Sequence, residues 1–155
     1  MSAIRIRRAT LRDLDALVLQ RRRMFEELGR RFTPEQYARH DREYRGWVKR
    51  LYRKGDYVAW IAVSAGAAVA GGAVWLQERQ PRPGSAATKA PYLLSMYTER
   101  EFRGRGLATR IVKEAMRWAK RQGHAFMTLH ASKQGRRVYT RLRWERTWEM
   151  HIRIR

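Results

Sequence analysis

The sequence predicts an α/β fold in which a central mixed β-sheet is flanked by helices on both faces. Strand-like and helix-like segments alternate in the order strand, two helices, three strands, helix, strand, helix, strand, which is typical of a sheet covered by helices. The 155 residues contain no linker and no internal repeat, and their number suits one domain with a sizeable core. We therefore expect a single domain over residues 1–155.

The first part of the chain is predicted to form one strand and two capped helices. Apolar residues favour a strand over 4–9. Thr10 followed by Asp13 is a capping-box pattern, which predicts a helix that ends at the next glycine. A second cap at Thr33, with proline at the following position, predicts a helix that ends at Gly55.

The rest of the chain alternates strands and helices. The predicted elements are strands over 57–63, 68–76 and 92–98, a helix over 107–122, a strand over 126–129, a helix over 132–143 and a last strand or hairpin arm over 144–152. The segment 80–91 has three prolines and is expected to be a loop. Gly71 and Gly72 lie inside a predicted strand, where they indicate a bulge or a close backbone approach.

The turn Arg103-Gly104-Arg105-Gly106 lies between a predicted strand and the helix that begins with Leu107 and Ala108. Glycines at this spacing let the backbone approach a ligand closely. The first amides of a helix have no partner inside it and carry positive partial charge, so they suit a phosphate. Arg103 and Arg105 add full positive charges. We therefore predict a pyrophosphate site, and hence a nucleotide-containing cofactor, at this turn.

Two familiar phosphate-binding turns do not fit the sequence. A dinucleotide fingerprint needs a third glycine where Thr109 stands, and a P-loop needs Gly-Lys-Ser or Gly-Lys-Thr, which the chain lacks. Glu101-Phe102-Arg103-Gly104-Arg105-Gly106 instead resembles the Gln/Arg-x-x-Gly-x-Gly/Ala signature of the GCN5-related N-acetyltransferases, which bind the pyrophosphate of acetyl-CoA. Glu101 departs from that signature at its first position.

The resemblance extends over nearly the whole chain. The order of predicted elements matches the acetyltransferase fold, and Ile6-Arg7-Arg8-Ala9-Thr10 is similar to the family's opening strand and cap. Val138-Tyr139-Thr140-Arg141-Leu142-Arg143-Trp144 resembles its closing Leu-Tyr-x-x-Leu-Gly-Phe motif, with Arg143 in place of the glycine and Trp144 in place of the phenylalanine. The resemblance implies one N-acetyltransferase domain over residues 1–155.

The resemblance also implies an enzyme that transfers an acetyl group directly from acetyl-CoA to a primary amine, without a metal. It places Tyr139 near the CoA sulfur as general acid, since a phenol is protonated at neutral pH and can donate to a thiolate. The alternative for Tyr139 is a packing role. The cofactor-binding residues that it implies are Met96, Tyr97 and Thr98, through their backbone, and Arg103, Gly104, Arg105, Gly106, Leu107, Ala108 and Ser132.

The sequence leaves the general base open. Glu78 follows the third predicted strand, where its carboxylate can face the acceptor, and it is our candidate catalytic base. Glu99 and His130 are further candidates, and His130 is alternatively a hydrogen-bonded strand residue. Water can also serve, because an α-amine with a pKa of about 7.7–8.0 needs little help to lose its proton.

The chain is strongly basic, with 35 Lys and Arg against 14 Asp and Glu and a net charge of +21. Such a charge attracts anions, so a nucleic-acid-binding module is one alternative function. A CoA-binding protein of the same fold without catalysis is another. Arginine is spread along the whole chain, which favours a compositional bias over a nucleic-acid site. The charge argues against strongly cationic acceptors and for neutral or anionic amines of small molecules or peptides.

Several classes of protein are excluded by what the sequence lacks. Without cysteine there is no disulfide, thiolate nucleophile or cysteine-bound zinc, and His124 and His130 have no third ligand nearby. No run of 18 apolar residues and no signal-peptide pattern is present, so we expect a cytoplasmic protein. A homodimer is a further expectation from the resemblance, with Trp144 and Trp148 as candidate interface residues.

Overall fold

The computed structural model describes residues 3–85 and 87–154. Its elements are β1 (Arg5–Arg8), α1 (Leu14–Glu27), α2 (Pro34–Lys54), β2 (Tyr57–Ser64), β3 (Ala67–Glu78), β4 (Lys89–Thr98), α3 (Leu107–Arg121), β5 (Thr128–Leu129) and α4 (Arg136–Arg141). Short 3-10 turns over Leu11–Asp13 and Arg100–Phe102 precede α1 and α3.

The five strands form one sheet in the order β1-β2-β3-β4-β5. The first three pairings are antiparallel, and β4 pairs with β5 in parallel. Helices α1 and α2 pack on one face of the sheet, and α3 and α4 pack on the other. The predicted mixed α/β fold with helices on both faces is therefore confirmed.

Each face of the sheet has its own apolar core. Trp60 belongs to the core under α3, whereas its neighbour Ile61 belongs to the core under α1 and α2. Successive side chains of a strand point to opposite faces, so a central strand covered on both sides is apolar at nearly every position. This explains the uninterrupted apolar run of β2, seven of whose eight residues are buried.

Both predicted helix caps are present. The side chains of Thr10 and Asp13 form a capping box at the 3-10 turn that leads into α1. Thr33 and Gln36 form a second capping box at the start of α2, which ends at Gly55 with φ of 74°. These signals are local in the chain, and the helices begin and end close to the positions that the signals predict.

A bulge lies in the central pair of strands, where one β3 residue, Gly72, stands opposite Ser95 and Met96 of β4. Ser95 has φ of 55°, in the left-handed region. A Cβ atom on Gly72 would lie 2.2 Å from the Met96 sulfur, and one on Gly71 would lie 2.2 Å from Oε1 of Gln20. The two glycines mark both a bulge and a close approach, as the sequence indicated.

Strands β4 and β5 separate soon after they meet. Their ladder contains only the pairs Tyr92 with Thr128 and Leu93 with Leu129. Within the described residues, β4 from Leu94 to Thr98 therefore has no strand neighbour on its β5 side. Its backbone N–H and C=O groups at that edge are available to a ligand, since a strand edge presents unpaired donors and acceptors.

The predicted last strand over 144–152 is wrong, because residues 142–154 form no helix or strand. The alternating apolar side chains of Trp148, Met150 and Ile152 are at least 81% exposed. This period of two suits a strand, but a strand also needs a neighbouring backbone to pair with, and none of the described strands supplies one here.

Two predicted boundaries also change. Strand β4 begins at Lys89, so the end of the expected 80–91 loop belongs to the sheet. Pro91 is tolerated because it precedes the β4–β5 ladder and faces β3 alone. Helix α4 is shorter than the expected 132–143, because the Ser132 hydroxyl accepts a hydrogen bond from the Gly135 amide and forms a turn first.

Candidate active site

A large cleft of about 1310 Å³ opens along the free edge of β4. One half lies between β4, the glycine turn and α4. The other half lies between β4, α1 and α2. The bulge at Ser95 turns β4 where the two halves meet. The fold therefore creates a continuous space that reaches from the start of α3 to the aromatic face of α2.

The glycine turn lines the first half of this cleft. Gly104 and Gly106 have φ of 74° and 71°, a conformation that favours glycine over other residues. Gly106 precedes α3 and no side chain caps that helix. A Cβ atom on either glycine would meet nothing within 4 Å, so the space in front of the turn is open. An uncapped helix N-terminus facing open space suits the pyrophosphate of a nucleotide.

The two arginines of the turn point in different directions. Arg103 lines the cleft, and its guanidinium donates to the Thr98 carbonyl at 2.9 Å and pairs with Glu27 of α1. Arg105 does not line the cleft; its guanidinium donates to the Glu101 carbonyl at 3.2 Å and lies over the Phe102 ring. Both guanidinium groups therefore already have partners within the protein.

Tyr139 of α4 lines the cleft across from the free edge of β4. Its ring packs on Trp144 with centroids 5.9 Å apart. Burial, followed by the smaller effect of the neighbouring Tyr92, raises the pKa of Tyr139 to about 12. The phenol therefore holds its proton throughout the neutral range and can donate it into the cleft.

The sequence profile of the acetyltransferase (GNAT) family matches residues 21–143, from within α1 to Arg143 of the closing motif. This span includes the glycine turn, the free edge of β4 and Tyr139. The chain belongs to the acetyltransferase (GNAT) family. Members of this family are N-acetyltransferases that use acetyl-CoA, which fits the uncapped helix and the open turn. No curated protein sequence matches the chain.

Solved GNAT structures share the fold along its full length. A GCN5-related N-acetyltransferase from Ralstonia eutropha JMP134 has 29% identity and a TM-score of 0.86, with 98% of this chain and 99% of that one covered. A predicted acetyltransferase from Clostridium acetobutylicum, solved with acetyl-CoA, has 25% identity and a TM-score of 0.85, covering 98% and 96%. A ribosomal-protein-alanine N-acetyltransferase from Brucella melitensis has the same fold at 20% identity and a TM-score of 0.71, with 99% of each chain covered.

Most of the site residues predicted from the GNAT resemblance lie together. Those that line the cleft are Met96, Tyr97, Thr98, Arg103, Gly104, Gly106, Leu107, Ala108, Ser132 and Tyr139. The Tyr97 hydroxyl donates to carboxylate oxygens of Glu27 and Glu99 at 3.3 Å, so this side chain already has partners within the protein. Ser132 uses its hydroxyl in the turn before α4.

Glu78 lies outside the cleft, exposed at the end of β3. The sequence placed it near the acceptor because it follows a core strand, but β3 ends beside Lys89, away from the separation of β4 and β5. Glu99 is also outside the cleft, where it pairs with Arg23 of α1. Of the three side chains considered as bases, His130 is the one that lines the cleft.

His130 is part of a hydrogen-bonded row that the sequence did not predict. Its Nδ1 lies 2.5 Å from the Tyr92 hydroxyl, and its Nε2 lies 2.7 Å from a carboxylate oxygen of Glu149. Tyr92 also lines the cleft. The three residues are far apart in the chain, so no local spacing could have indicated the row.

The second half of the cleft was also not predicted as a site. Tyr44 and Trp47 of α2 and Trp75 of β3 line it, together with Arg21 of α1. Tyr44 is a buried residue of the core, and it also lines the cleft. Aromatic residues at helical spacing predict a buried face and do not distinguish a core from a cleft wall.

No group of three or more His, Asp or Glu residues in the described part of the chain could hold a metal ion. Among residues 3–85 and 87–154, no helix combines the length and the apolar character needed to cross a membrane.

Proposed function

We propose that this protein transfers the acetyl group of acetyl-CoA to a primary amine of a small molecule or peptide. The observation that carries the proposal is the shared cleft: an uncapped helix with an open glycine turn, the free edge of β4 and a protonated tyrosine all face one space. Acetyl-CoA supplies the acetyl group as an activated thioester. Residues 103–108 would hold the pyrophosphate through their amides, with Met96, Tyr97 and Thr98 along the pantetheine arm.

Acetyl transfer needs few catalytic side chains, because the thioester is already activated. The amine nitrogen forms a bond to the carbonyl carbon, the carbon–sulfur bond breaks, the sulfur gains a proton and the amine loses one. Backbone N–H groups of β4 at Met96 to Thr98 would orient the carbonyl and stabilise the negative charge that develops on its oxygen. Positioning of the two reactants then provides much of the rate.

Tyr139 is the proposed proton donor to the departing sulfur. Because its pKa is raised to about 12, the phenol stays protonated wherever the enzyme works. The raised pKa also makes it a weaker acid, so a hydrogen bond to the developing thiolate is expected to precede proton transfer. Solvent then restores the phenol proton.

Tyr92 and His130 are the proposed route for the amine proton. In this route Nε2 of His130 carries the proton that Glu149 accepts, so Nδ1 accepts from the Tyr92 hydroxyl and the phenol oxygen is free to accept from the amine. Glu149 accepts from Nε2 and stabilises the imidazolium that forms. His130→Gln should lower kcat by about 10²-fold at neutral pH, with a smaller loss at higher pH where solvent removes the proton. A loss that does not depend on pH would remove His130 from this role.

Acetyl-CoA binding is the first test of the proposal. Acetyl-CoA at 100 times its Kd should stabilise the protein by about 2.7 kcal/mol and raise its melting temperature at physiological salt. A panel of primary amines followed by CoA-thiol release then tests transfer. Binding without transfer to any amine would favour the non-catalytic alternative. Binding to nucleic acid with a steep loss as salt rises, and no response to acetyl-CoA, would favour the nucleic-acid alternative.

A further inference from the structure

Arg21 is a cation in the α1–α2 half of the cleft, and no carboxylate of residues 3–85 and 87–154 forms a salt bridge with it. Its guanidinium lies over the rings of Phe25 and Tyr44, at 5.0 and 4.7 Å from their centroids. Nη1 donates to the Ser95 hydroxyl at 2.9 Å, and Nε is buried without a hydrogen-bond partner. Aromatic contacts on two rings fix the plane of this guanidinium while several of its donors remain unused.

The Nε of Arg22 is also buried without a hydrogen-bond partner, but Arg22 and Arg23 differ from Arg21 in having a carboxylate partner. Arg22 pairs with Asp41 and Arg23 pairs with Glu99. Among the salt bridges of the described residues, Arg21 takes part in none. A partly buried guanidinium with unused donors is costly unless an anion completes it, so the site is suited to a ligand that brings one.

The acidic residues around this half of the cleft are already paired. Glu27 binds Arg100 and Arg103, and Glu43 binds Arg39 at 3.0 Å. These carboxylates are therefore not placed to neutralise Arg21.

An aromatic wall stands beside Arg21. The Tyr44 and Trp47 rings are stacked with centroids 5.8 Å apart, and Trp47 meets Trp75 edge to face at 5.1 Å. All three rings line the cleft. Flat apolar surfaces of this kind bind planar or apolar groups.

Arg21 is also close to the position of the proposed reaction. Its partner Ser95 is the bulge residue of β4 and directly precedes Met96, where the thioester is proposed to lie. An anionic group held by Arg21 would thus be only a few bonds from an amine that attacks at the free edge of β4.

We propose that the acceptor is a primary amine that carries a nearby anionic group, a carboxylate or a phosphate, together with a planar or apolar part. Arg21 binds the anion, and Tyr44, Trp47 and Trp75 contact the apolar part. This inference rests on the proposed acetyl transfer and specifies the class of its acceptor.

Matched pairs of amines test the acceptor class. L-phenylalanine is compared with L-phenylalaninamide, and O-phosphoethanolamine with ethanolamine, with kcat/KM measured by CoA-thiol release. We expect the anionic member of at least one pair to be preferred by about 10- to 100-fold, the range for a charged hydrogen-bonded pair. The pair that shows the preference tells a carboxylate from a phosphate.

Arg21→Gln tests the residue, with Arg117→Gln as control because Arg117 is an exposed arginine of α3 outside the cleft. Arg21→Gln should raise KM for the anionic acceptor by about 10- to 100-fold more than it raises KM for the neutral partner. Arg117→Gln should change neither. Arg21→Lys should restore part of the loss, because it keeps the charge without the planar fork.

The outcomes separate this inference from the proposed function. A wild-type protein that is not stabilised by acetyl-CoA contradicts the proposed function itself. If acetyl-CoA does stabilise the wild type, three results overturn the inference alone. They are a preference for neutral amines, no transfer to an anionic amine, and equal losses for both acceptors in Arg21→Gln. If Arg21→Gln does not fold, inhibition of the wild type by 3-phenylpropionate but not by its amide supports the inference, and equal inhibition by both overturns it.

Discussion

A buried tyrosine keeps its proton more firmly than one in water, and Tyr139 is such a residue. Tyr139→Phe removes the hydroxyl and keeps the ring that packs on Trp144. We expect kcat to fall by about 10²–10⁴-fold, with the melting temperature and the acetyl-CoA affinity unchanged. Tyr52→Phe, at a tyrosine outside the main cleft, should leave all three quantities as they are. Normal turnover in Tyr139→Phe would leave a site that works by positioning alone.

The pKa of Tyr139 also sets the pH dependence of this role. A phenol with a pKa of about 12 is present as the proton donor at all lower pH values and is lost only as the pH rises through about 12. Between pH 7 and 10, ionisation of Tyr139 should therefore not lower the kcat of the wild type. The pH profiles of the wild type and of Tyr139→Phe should have the same shape over this range. A fall near pH 9 that disappears in this variant would show that the cofactor-bound pKa is far lower.

Residues predicted from the sequence divide by what their role depends on. Gly104, Gly106 and Tyr139 occupy motif positions whose backbone is set by neighbours in the chain, and the structure brings them to one cleft. Arg105 and Glu78 lie near the right elements but do not line the cleft, since the direction of a side chain depends on packing. Arg21 belongs to no motif, and only the contact of α1 with β4 reveals it.

The glycine at the start of α3 allows a test of acetyl-CoA binding that has a matched control at the other end of the helix. Gly106 and Gly123 both have positive φ, 71° and 78°, and both have open space at Cβ. A valine at either position carries similar backbone strain, on the order of 1–2 kcal/mol. Gly106 lines the cleft and Gly123 does not. Gly106→Val should therefore weaken acetyl-CoA binding by at least about 10-fold by calorimetry, while Gly123→Val loses stability alone.

The two variants distinguish contact with the ligand from backbone strain at the ends of α3. Equal acetyl-CoA affinity in both folded variants would place the pyrophosphate elsewhere. Equal losses of affinity would show that strain at an end of α3, rather than contact with the ligand, is responsible.

Helices were predicted better than the ends of the sheet. Each of the two caps, at Thr10 and at Thr33, is formed within four consecutive residues, so the sequence alone locates the helices. The strand expected over 144–152 has the right alternation, but pairing requires a neighbour far away in the chain. The separation of β4 from β5, which creates the cleft, likewise follows from tertiary packing and from no local pattern.

The C-terminal segment over residues 148–154 exposes a row of apolar side chains. Trp148, Met150, Ile152 and Ile154 are 98%, 92%, 81% and 83% exposed. Exposed apolar surface of this kind is typical of an interface, and we retain the prediction of a homodimer that uses this segment. Light scattering should give twice the chain mass, and Trp148→Ser with Ile152→Ser should give the monomer. A wild-type monomer at high concentration would contradict the prediction, because the net charge of +21 opposes association.

The short ladder between β4 and β5 has a consequence for motion. Two residue pairs hold β5 to the sheet, so the segment from β5 through α4 can open locally at a lower free energy than the central strands. Amide hydrogen exchange should be faster over 128–141 than over 57–64. A ligand that contacts both sides of the separation should slow exchange at 128–141 the most, and uniform slowing would contradict this. Saturation with CoA would then also fix the position of Tyr139 relative to β4, because Tyr139 lies on the segment that opens most easily.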